Sequence, residues 1–335
     1  MSTHLALIVL NYRTPDLTIQ CLRSLEHQVG PHDEVVVVDN DSRDGSADAI
    51  QKAITSQGWR WARLLRSPVN GGFAAGNNLG IRSVDADAYV LLNSDTVVLP
   101  GTIEALRTAM RSHPRAGIVG SRFIDREGHL DQSTFRDVAP LGELVRAAAT
   151  GPITRILPRY EIPIVADEEP FEPDWVGFAC VLIRREVIDR IGLLDDGYFM
   201  YFEDIDYCRR ARAAGFRVLF WPDARVIHFL GSSSQMSAVE SLRKRAPRYY
   251  YEARARYFAK FYGRRGLWLA NVLYGAGHAV SLARQWAGDR PSGHRDREVL
   301  DVWTNALEPF RPSTARPAMP APVERPRLRR VAGWR

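Results

Sequence analysis

Two acidic positions in this chain have surroundings suited to chemistry. The first is Asp95, which closes the stretch Tyr89-Val90-Leu91-Leu92-Asn93-Ser94-Asp95. An apolar run that stops on small polar residues reads as a strand buried on both faces and ending in a turn. A lone carboxylate beyond such a strand either caps the next helix or holds a hard divalent cation against a phosphate. The second position is Glu203-Asp204-Ile205-Asp206, directly after Tyr198-Phe199-Met200-Tyr201-Phe202. Carboxylates in a first helical turn suit the macrodipole. The aromatic run adds partial desolvation, which favours the neutral acid and makes its conjugate a better base. Neighbours on a helix diverge by about 100°, so only some of the three face a cleft. Asp204 is the candidate base, and Asp206 is assigned to the helix face.

Smaller signals surround these two. Asn11 and Asp39 also stand where apolar runs end, so in a parallel sheet they share one edge with Asp95. His228 ends the run Arg225-Val226-Ile227; imidazole and carboxylate together suit cations such as Mn²⁺, and a structural histidine is the equal alternative. Asn70-Gly71-Gly72-Phe73-Ala74-Ala75-Gly76-Asn77-Asn78 has P-loop glycine spacing but lacks its Lys-Ser/Thr, and it lacks Gly-x-Gly-x-x-Gly. What remains is a Gly-rich turn into a helix, able to offer backbone N–H groups to phosphate or sugar oxygens. Cys21, Cys180 and Cys208 are far apart, with no zinc or redox spacing, and read as core residues of a reducing compartment.

The elements that position these residues follow from periodicity. Strands are expected at Leu5–Leu10, Val35–Val38, Ala62–Leu65 and Ala88–Leu92, each followed by a helical pattern, the first opened by Thr14-Pro15-Asp16. Four alternations within the first hundred residues predict an α/β, doubly wound, mostly parallel sheet. Helices are expected near 100–113, 185–191 and from Glu203 to about Ala214, stopped by Gly215. Further strands are expected at Ile118–Gly120, Val176–Ile183, Phe216–Trp221 and Ala224–His228. Residues 125–173 show no clear period, as a functional or mobile insertion would.

At 335 residues the chain has room for one large α/β domain, and its 45% hydrophobic and 25% charged content is that of a globular protein. The net charge of +6 hides an acidic front and a basic back. Anionic membrane and nucleic acid are the two candidate partners of a basic part. From about residue 240 a basic, aromatic helical pattern begins. Gly266–Ala283 then carries no charge, between Arg264, Arg265 and Arg284, with Trp268 and Trp286 near its ends. An interfacial helix on an anionic membrane fits this best, a packed core helix and a short span less well. From Asp289 the Pro/Arg-rich tail reads as disordered. The N-terminus enters a strand-like run with no basic leader. The expected organisation is a catalytic domain over 1–235, a basic/aromatic helical extension over 236–288 and a tail over 289–335.

In order and register, these pieces resemble the family 2 glycosyltransferases, in particular the bacterial rhamnosyltransferase-like group. The resemblance is carried by Val9-Leu10-Asn11-Tyr12, by Val37-Val38-Asp39-Asn40-Asp41-Ser42-Arg43-Asp44-Gly45-Ser46, by Asn70–Gly80, by Leu91–Asp95, by Trp175–Arg185 and by Phe199–His228. It covers roughly two-thirds of the chain. It implies a GT-A fold with a C-terminal helical extension, a nucleotide-diphosphate sugar donor, a divalent metal (Mg²⁺ or Mn²⁺) and inversion at the anomeric carbon. By position, Asp39 would hold the donor's base, with Asn11 and Asn40 nearby. Gly71, Gly72 and Asn77 would lie on the donor side. Asp95 stands at the metal-binding aspartate of the family's DxD motif, and His228 at a position that ligates the metal in some relatives. Trp175, Gly177 and Glu203 would line the acceptor side, and Asp204 matches the general base. Asn93-Ser94-Asp95 keeps only the last acid of DxD, which implies a weaker metal site.

Such an enzyme would work by a single displacement, Asp204 taking the acceptor's proton as its oxygen attacks C1 through an oxocarbenium-like transition state. A rhamnosyl donor, a glycan or lipid-linked acceptor and a cytoplasmic site, peripheral on the inner face of the plasma membrane, fit the group resembled; nucleic acid is not expected. A sugar-nucleotide nucleotidyltransferase would carry a Gly-rich basic loop after the first strand, where Asn11-Tyr12-Arg13-Thr14 has no glycine. A processive polysaccharide synthase would carry several spans and Gln-x-x-Arg-Trp, which Arg284-Gln285-Trp286 is not. A non-enzymatic binding module would rest on the basic C-terminal part alone and leave the acidic strand ends unexplained.

Overall fold

The computed structural model describes residues 3–166, 168–229, 245–288 and 295–313. The first half alternates as its apolar periodicity predicts: β1 Leu5–Asn11, α1 Pro15–Leu25, β2 Glu34–Asp39, α2 Ser46–Ser56, β3 Ala62–Arg66, α3 Gly72–Arg82 and β4 Ala88–Asn93. β5 Thr96–Val98, α4 Thr102–Ser112 and β6 Ala116–Ile124 follow. The main sheet runs β3-β2-β1-β4 in parallel. Beyond β4 come three later strands in the order β11 (Cys180–Arg184), β6 and β12 (Arg217–His228), with β5 at the far edge. β11 is antiparallel to both its neighbours, β12 is parallel to β6, and β5 is antiparallel to β12. The chain winds outward from β1 to β3 and then returns to β4 on the other side of β1. That reversal is the switch point where open α/β sheets bind ligands.

Both faces of the sheet are covered, which is why its strands read as continuous apolar runs. Leu5, Leu7 and Val9 pack against Leu22 and Leu25 of α1, Ile50 of α2 and Leu106 of α4. Ala6 and Ile8 face the other way, into a cluster with Ala74 and Ile81 of α3 and with the helices from the second half. These helices are α7 Arg185–Ile191, α8 Glu203–Ala213 and α9 Arg248–Trp286. Cys21, Cys180 and Cys208 are free and buried.

Three differences from the periodicity reading have physical causes. Residues 125–173, expected to be irregular, hold short elements: β7 Leu130–Asp131, β8 Thr134–Phe135, α5 Pro140–Ala148, α6 Gly151–Ile156 and β9 Pro163–Ile164. None except α5 is long enough to show a period, and α5 is buried by α9 rather than by the sheet. The expected strand Val176–Ile183 is split. β10 Trp175–Val176 joins β8 and β9 in a small second sheet, and the chain crosses Gly177 before β11 enters the main one. Residues 295–313 of the expected disordered tail are folded, with α10 Glu298–Asp301 packed on α9. Glu298 pairs with Arg146 at 2.8 Å, and Asp301 with Arg245 at 2.6 Å. Residues 230–244, 289–294 and 314–335, with the rest of the tail reading, lie outside the described residues.

The C-terminal helix α9 breaks at Gly263 (φ 67, ψ 176). Before the break it packs Tyr251, Tyr257 and Phe258 into the core. After it, Leu267, Ala270, Tyr274 and Gly277 lie against α5, where a Cβ on Gly277 would stand 2.6 Å from the Leu144 carbonyl oxygen. Deeper still, Arg254 is 1% exposed and donates to Glu143 at 2.9 Å and to Asn271 at 2.6 Å. The opposite face of Gly266–Ala283 is exposed and apolar, through Trp268, Leu269, Val272 and Val280. The uncharged stretch is therefore half core and half exposed, and among the described residues no helix is long and apolar enough to cross a membrane.

Candidate active site

The strand ends at the switch point are tied to each other. Asn11 and Asp39 are register partners across β1 and β2, and the Asn11 amide donates to Asp39 Oδ1 at 2.7 Å. Ser42 donates to Asp39 twice, from Oγ (2.6 Å) and from its backbone N–H (3.2 Å). Asp39 thus orders its own turn at the carboxyl end of β2. Asn40 reaches the Gly-rich turn, donating to Asn70 Oδ1 at 3.0 Å and to the Gly72 carbonyl at 3.1 Å. Thr14 and Ser94 bridge β1 and β4 with hydroxyls 2.8 Å apart.

The Gly71-Gly72 turn differs from the sequence expectation. Its Gly72 N–H donates to Asn70 Oδ1 at 3.0 Å, and the Phe73 N–H donates to the Phe199 carbonyl at 2.7 Å. Those two groups are engaged inside the protein, not free for a phosphate. Gly72 is required for another reason: at φ +88 a Cβ would lie 1.9 Å from the Phe199 carbonyl oxygen. The turn thus packs directly against the aromatic run. Asn77, also expected on the donor side, is fully buried and donates back to the Phe73 carbonyl at 3.0 Å, and its Oδ1 has no partner among the described residues. Its neighbour Asn78 clamps the chain before the aromatic run, bonding both the N–H and the carbonyl of Leu194 (3.1 and 2.8 Å). Two adjacent asparagines inside an apolar helix were the available signal for that clamp.

Asp95 and His228 meet although 133 positions separate them. The antiparallel pairing of β5 with β12 sets His228 opposite Thr96, and the Phe229 N–H donates to the Asp95 carbonyl at 2.9 Å. His228 Nε2 lies 3.5 Å from Asp95 Oδ1, with side-chain exposures of 12% and 1%. The imidazole stands edge-on to Phe123, and its Nδ1 is buried without a partner among the described residues. A carboxylate and an imidazole nitrogen converging at this distance fit two ligands of one cation. Among the described residues no group of three or more candidate ligands exists.

The acidic turn is built under strain. Tyr201 (φ 71) and Phe202 (φ 68) both adopt the left-handed region before α8 starts. Such positions cost about 1–3 kcal/mol each for residues of this bulk and persist only when the surroundings hold them. Here Tyr201 stacks on Tyr249 at 6.1 Å, and Phe202 contacts Tyr250 and Tyr257 at 5.6 and 5.5 Å, all three from α9. Burial pushes the Asp204 carboxyl up to about 6, against the pull of its bond from the Ile205 N–H at 2.8 Å. Glu203, 6% exposed and with one carboxylate oxygen unpartnered, is held well above the ordinary range by burial and then by the charge of Asp204. The pair can therefore carry one charge and one proton near neutrality. Asp206 does not lie on an outer helix face: it is fully buried, between Arg210 Nε at 2.6 Å and Lys260 Nζ at 2.5 Å.

Between the two acidic centres runs the chain around Gly177. The Asn93 N–H donates to the Ala179 carbonyl at 2.9 Å, and β10 packs on α8. Trp175 is stacked on Phe135 at 3.9 Å, and its indole N–H donates to the Arg136 carbonyl at 2.8 Å. Gly177 faces the Phe123 ring, which in turn faces His228. The residues expected on the acceptor side thus lie on one connected path from the Asp95 end to α8.

Residues 6–192 match the family described as glycosyl transferase family 2, and the chain belongs to that family. An N-acetylglucosaminyl-diphospho-decaprenol L-rhamnosyltransferase of Mycobacterium tuberculosis is 29% identical over 216 residues, covering 60% of this chain and 67% of that protein. A dTDP-rhamnosyl transferase, RfbF, of Shigella flexneri is 26% identical over 207 residues, 60% of this chain and 61% of its own. Among solved structures, a mannosyltransferase of Pyrobaculum calidifontis in complex with GDP-Man and Mn²⁺ is similar with a TM-score of 0.55. It has 17% identity and covers 87% of this chain and 78% of that one. The fold is GT-A, and the protein is a glycosyltransferase similar to bacterial rhamnosyltransferases.

Proposed function

We propose that this glycosyltransferase transfers rhamnose from a nucleoside-diphosphate donor to a hydroxyl of a lipid-linked glycan, with inversion at the anomeric carbon. The observation that carries the reading is the Asp95–His228 pair converging at the switch point of the sheet. Asp39, Asn11 and Asn40 hold the nucleoside side of the donor, and Asp95 and His228 hold a divalent cation, Mg²⁺ or Mn²⁺. Bound there, the cation offsets the charge that grows on the departing diphosphate. Asp204 takes the acceptor hydroxyl's proton as its oxygen attacks C1 from the face opposite the leaving group, and Glu203 keeps a proton beside it. Trp175 and Gly177 line the acceptor side. The names of the two rhamnosyltransferases support the sugar and the lipid-linked acceptor.

The exposed apolar face of α9 supports a peripheral site of action on an anionic membrane, on the cytoplasmic side. Trp268, Leu269, Val272 and Val280 present it, with Arg264 and Arg265 at one end and Arg284 at the other. The test is a thermal-shift and product screen with dTDP-rhamnose, UDP-glucose, UDP-N-acetylglucosamine and GDP-mannose, each with Mn²⁺, Mg²⁺ or EDTA. Stabilisation and release of dTDP from dTDP-rhamnose, dependent on the cation, is the expected result. Preference for another sugar nucleotide would overturn the rhamnosyl reading, and full turnover in EDTA the metal reading.

A further inference from the structure

The C-terminal helix reaches the acidic turn with charge as well as with aromatic rings. Lys260 Nζ sits 2.5 Å from Asp206 Oδ2 and 2.8 Å from Asp195 Oδ2. Arg256, one turn earlier, takes the other oxygen of Asp195 at 2.8 Å. The Tyr198 hydroxyl donates to Asp206 at 3.1 Å, so both ends of the aromatic run are pinned to one buried cluster. Asp206 follows Asp204 by two positions and has no access to solvent. Asp206 thus sets a buried carboxylate in the same first turn of α8 as Glu203 and Asp204.

The remaining charges nearby are committed elsewhere. On α8, Arg212 pairs with Asp137 (2.5 Å) and Asp174 (3.2 Å), Arg209 donates to the Tyr257 and Tyr262 hydroxyls, and Cys208 is neutral, its thiol pushed up by burial. From α9, Tyr249 and Tyr257 face the turn through their rings, both phenols raised by burial and neutral. Two cations touch the Asp206 carboxylate among the described residues, Arg210 on the same helix and Lys260 from α9, beside the Tyr198 hydroxyl.

We propose that Lys260 is a positioning residue of the active site: together with Arg210 it neutralises Asp206, so that Asp204 can ionise as the base without a second uncompensated charge in the acidic turn. The proposal rests on the reading of Asp204 as base. It gives α9 a role in the chemistry beyond packing, because one of the two cations on Asp206 comes from that helix.

Carboxyl-¹³C titration of Asp-labelled protein, with Asp204 assigned by its loss in Asp204→Asn, follows this directly. Lys260→Met removes one of the two cations on Asp206 and leaves Arg210 in place; it is expected to raise the Asp204 midpoint by about one pH unit, the size of one charge lost at near range. The acid limb of kcat/KM should move with it, giving about a tenfold loss on that limb. Lys260→Arg should titrate like the wild type. The double variant Lys260→Met/Asp206→Asn removes both charges, so it should return the midpoint to the wild-type value even where Lys260→Met alone folds poorly. An unmoved midpoint in Lys260→Met, or a displaced one in the double variant, would overturn the proposal. The titration uses no donor, so it decides the role of Lys260 even where dTDP-rhamnose is not the substrate; retained turnover in Asp204→Asn would separately overturn the base assignment.

Discussion

Replacing Asp204 by asparagine is expected to make the protein more stable and inactive at once. Burial moves this carboxyl from 3.8 to about 6, and each tenfold change in an ionisation constant corresponds to about 1.4 kcal/mol. The full displacement is therefore worth ~3 kcal/mol against the folded state once the group is ionised. Two terms reduce the gain from removing it. Asp204 is only half-buried, so solvent screens part of the penalty, and the charge favours the N-terminus of α8 by about 0.3–1 kcal/mol. A net stabilisation of ~1–2 kcal/mol remains, a rise in Tm of about 2–8 °C. The sign depends on pH. An acid whose folded pKa lies above its unfolded value costs nothing below the unfolded value. The cost grows as pH rises between about 4 and 6 and is complete above that window. Wild type and Asp204→Asn should therefore melt together at pH 4 and separate by pH 8, with the variant higher. Asparagine keeps the acceptor for the Ile205 N–H, so the helix start is preserved. Calorimetry across pH 4–8 checks this, and a variant that melts lower at pH 8, or by the same margin at every pH, would refute the argument.

Three other outcomes follow from particular contacts. Gly72→Ala forces a Cβ onto the Phe199 carbonyl in a left-handed backbone, so a loss of about 1–3 kcal/mol or more should appear in thermal unfolding together with weaker nucleotide binding. Glu143→Gln leaves the buried Arg254 guanidinium without its carboxylate, a loss of about 3–5 kcal/mol readable in urea unfolding. Trp268→Ser/Leu269→Ser should lower flotation with anionic phosphatidylglycerol vesicles and leave turnover on a soluble acceptor analogue intact; unchanged flotation would remove the docking face.

The parts of this fold that were legible in sequence are those governed by local period. Val35–Val38 and Val90–Leu92 lie under helices on both faces and so read as unbroken apolar runs. The polar residues closing β1, β2 and β4 also made it legible that these strand ends share one edge of the parallel sheet. What the period could not carry were pairings between distant segments. Lys260 looks like any surface lysine of a basic helix until Asp206 is placed beneath it. The Gly71-Gly72 turn resembled a phosphate cradle because glycine spacing says nothing about the partner of each N–H; that partner, the Phe199 carbonyl, lies 126 positions from Phe73. Residues 295–313 read as disordered because Pro and Arg dominate the surrounding tail, whereas their order comes from Glu298 and Asp301 meeting arginines supplied by other elements.

In the proposed division of labour, Asp95 serves the donor and Asp204 the acceptor. Binding of dTDP-rhamnose with Mn²⁺ by calorimetry, set beside kcat for the same variants, tests it most directly. Asp204→Asn should bind the donor within about threefold of wild type while kcat falls by about 10²–10⁴, and Asp95→Asn should lose donor binding itself. Equal loss of donor affinity in both variants would contradict the account.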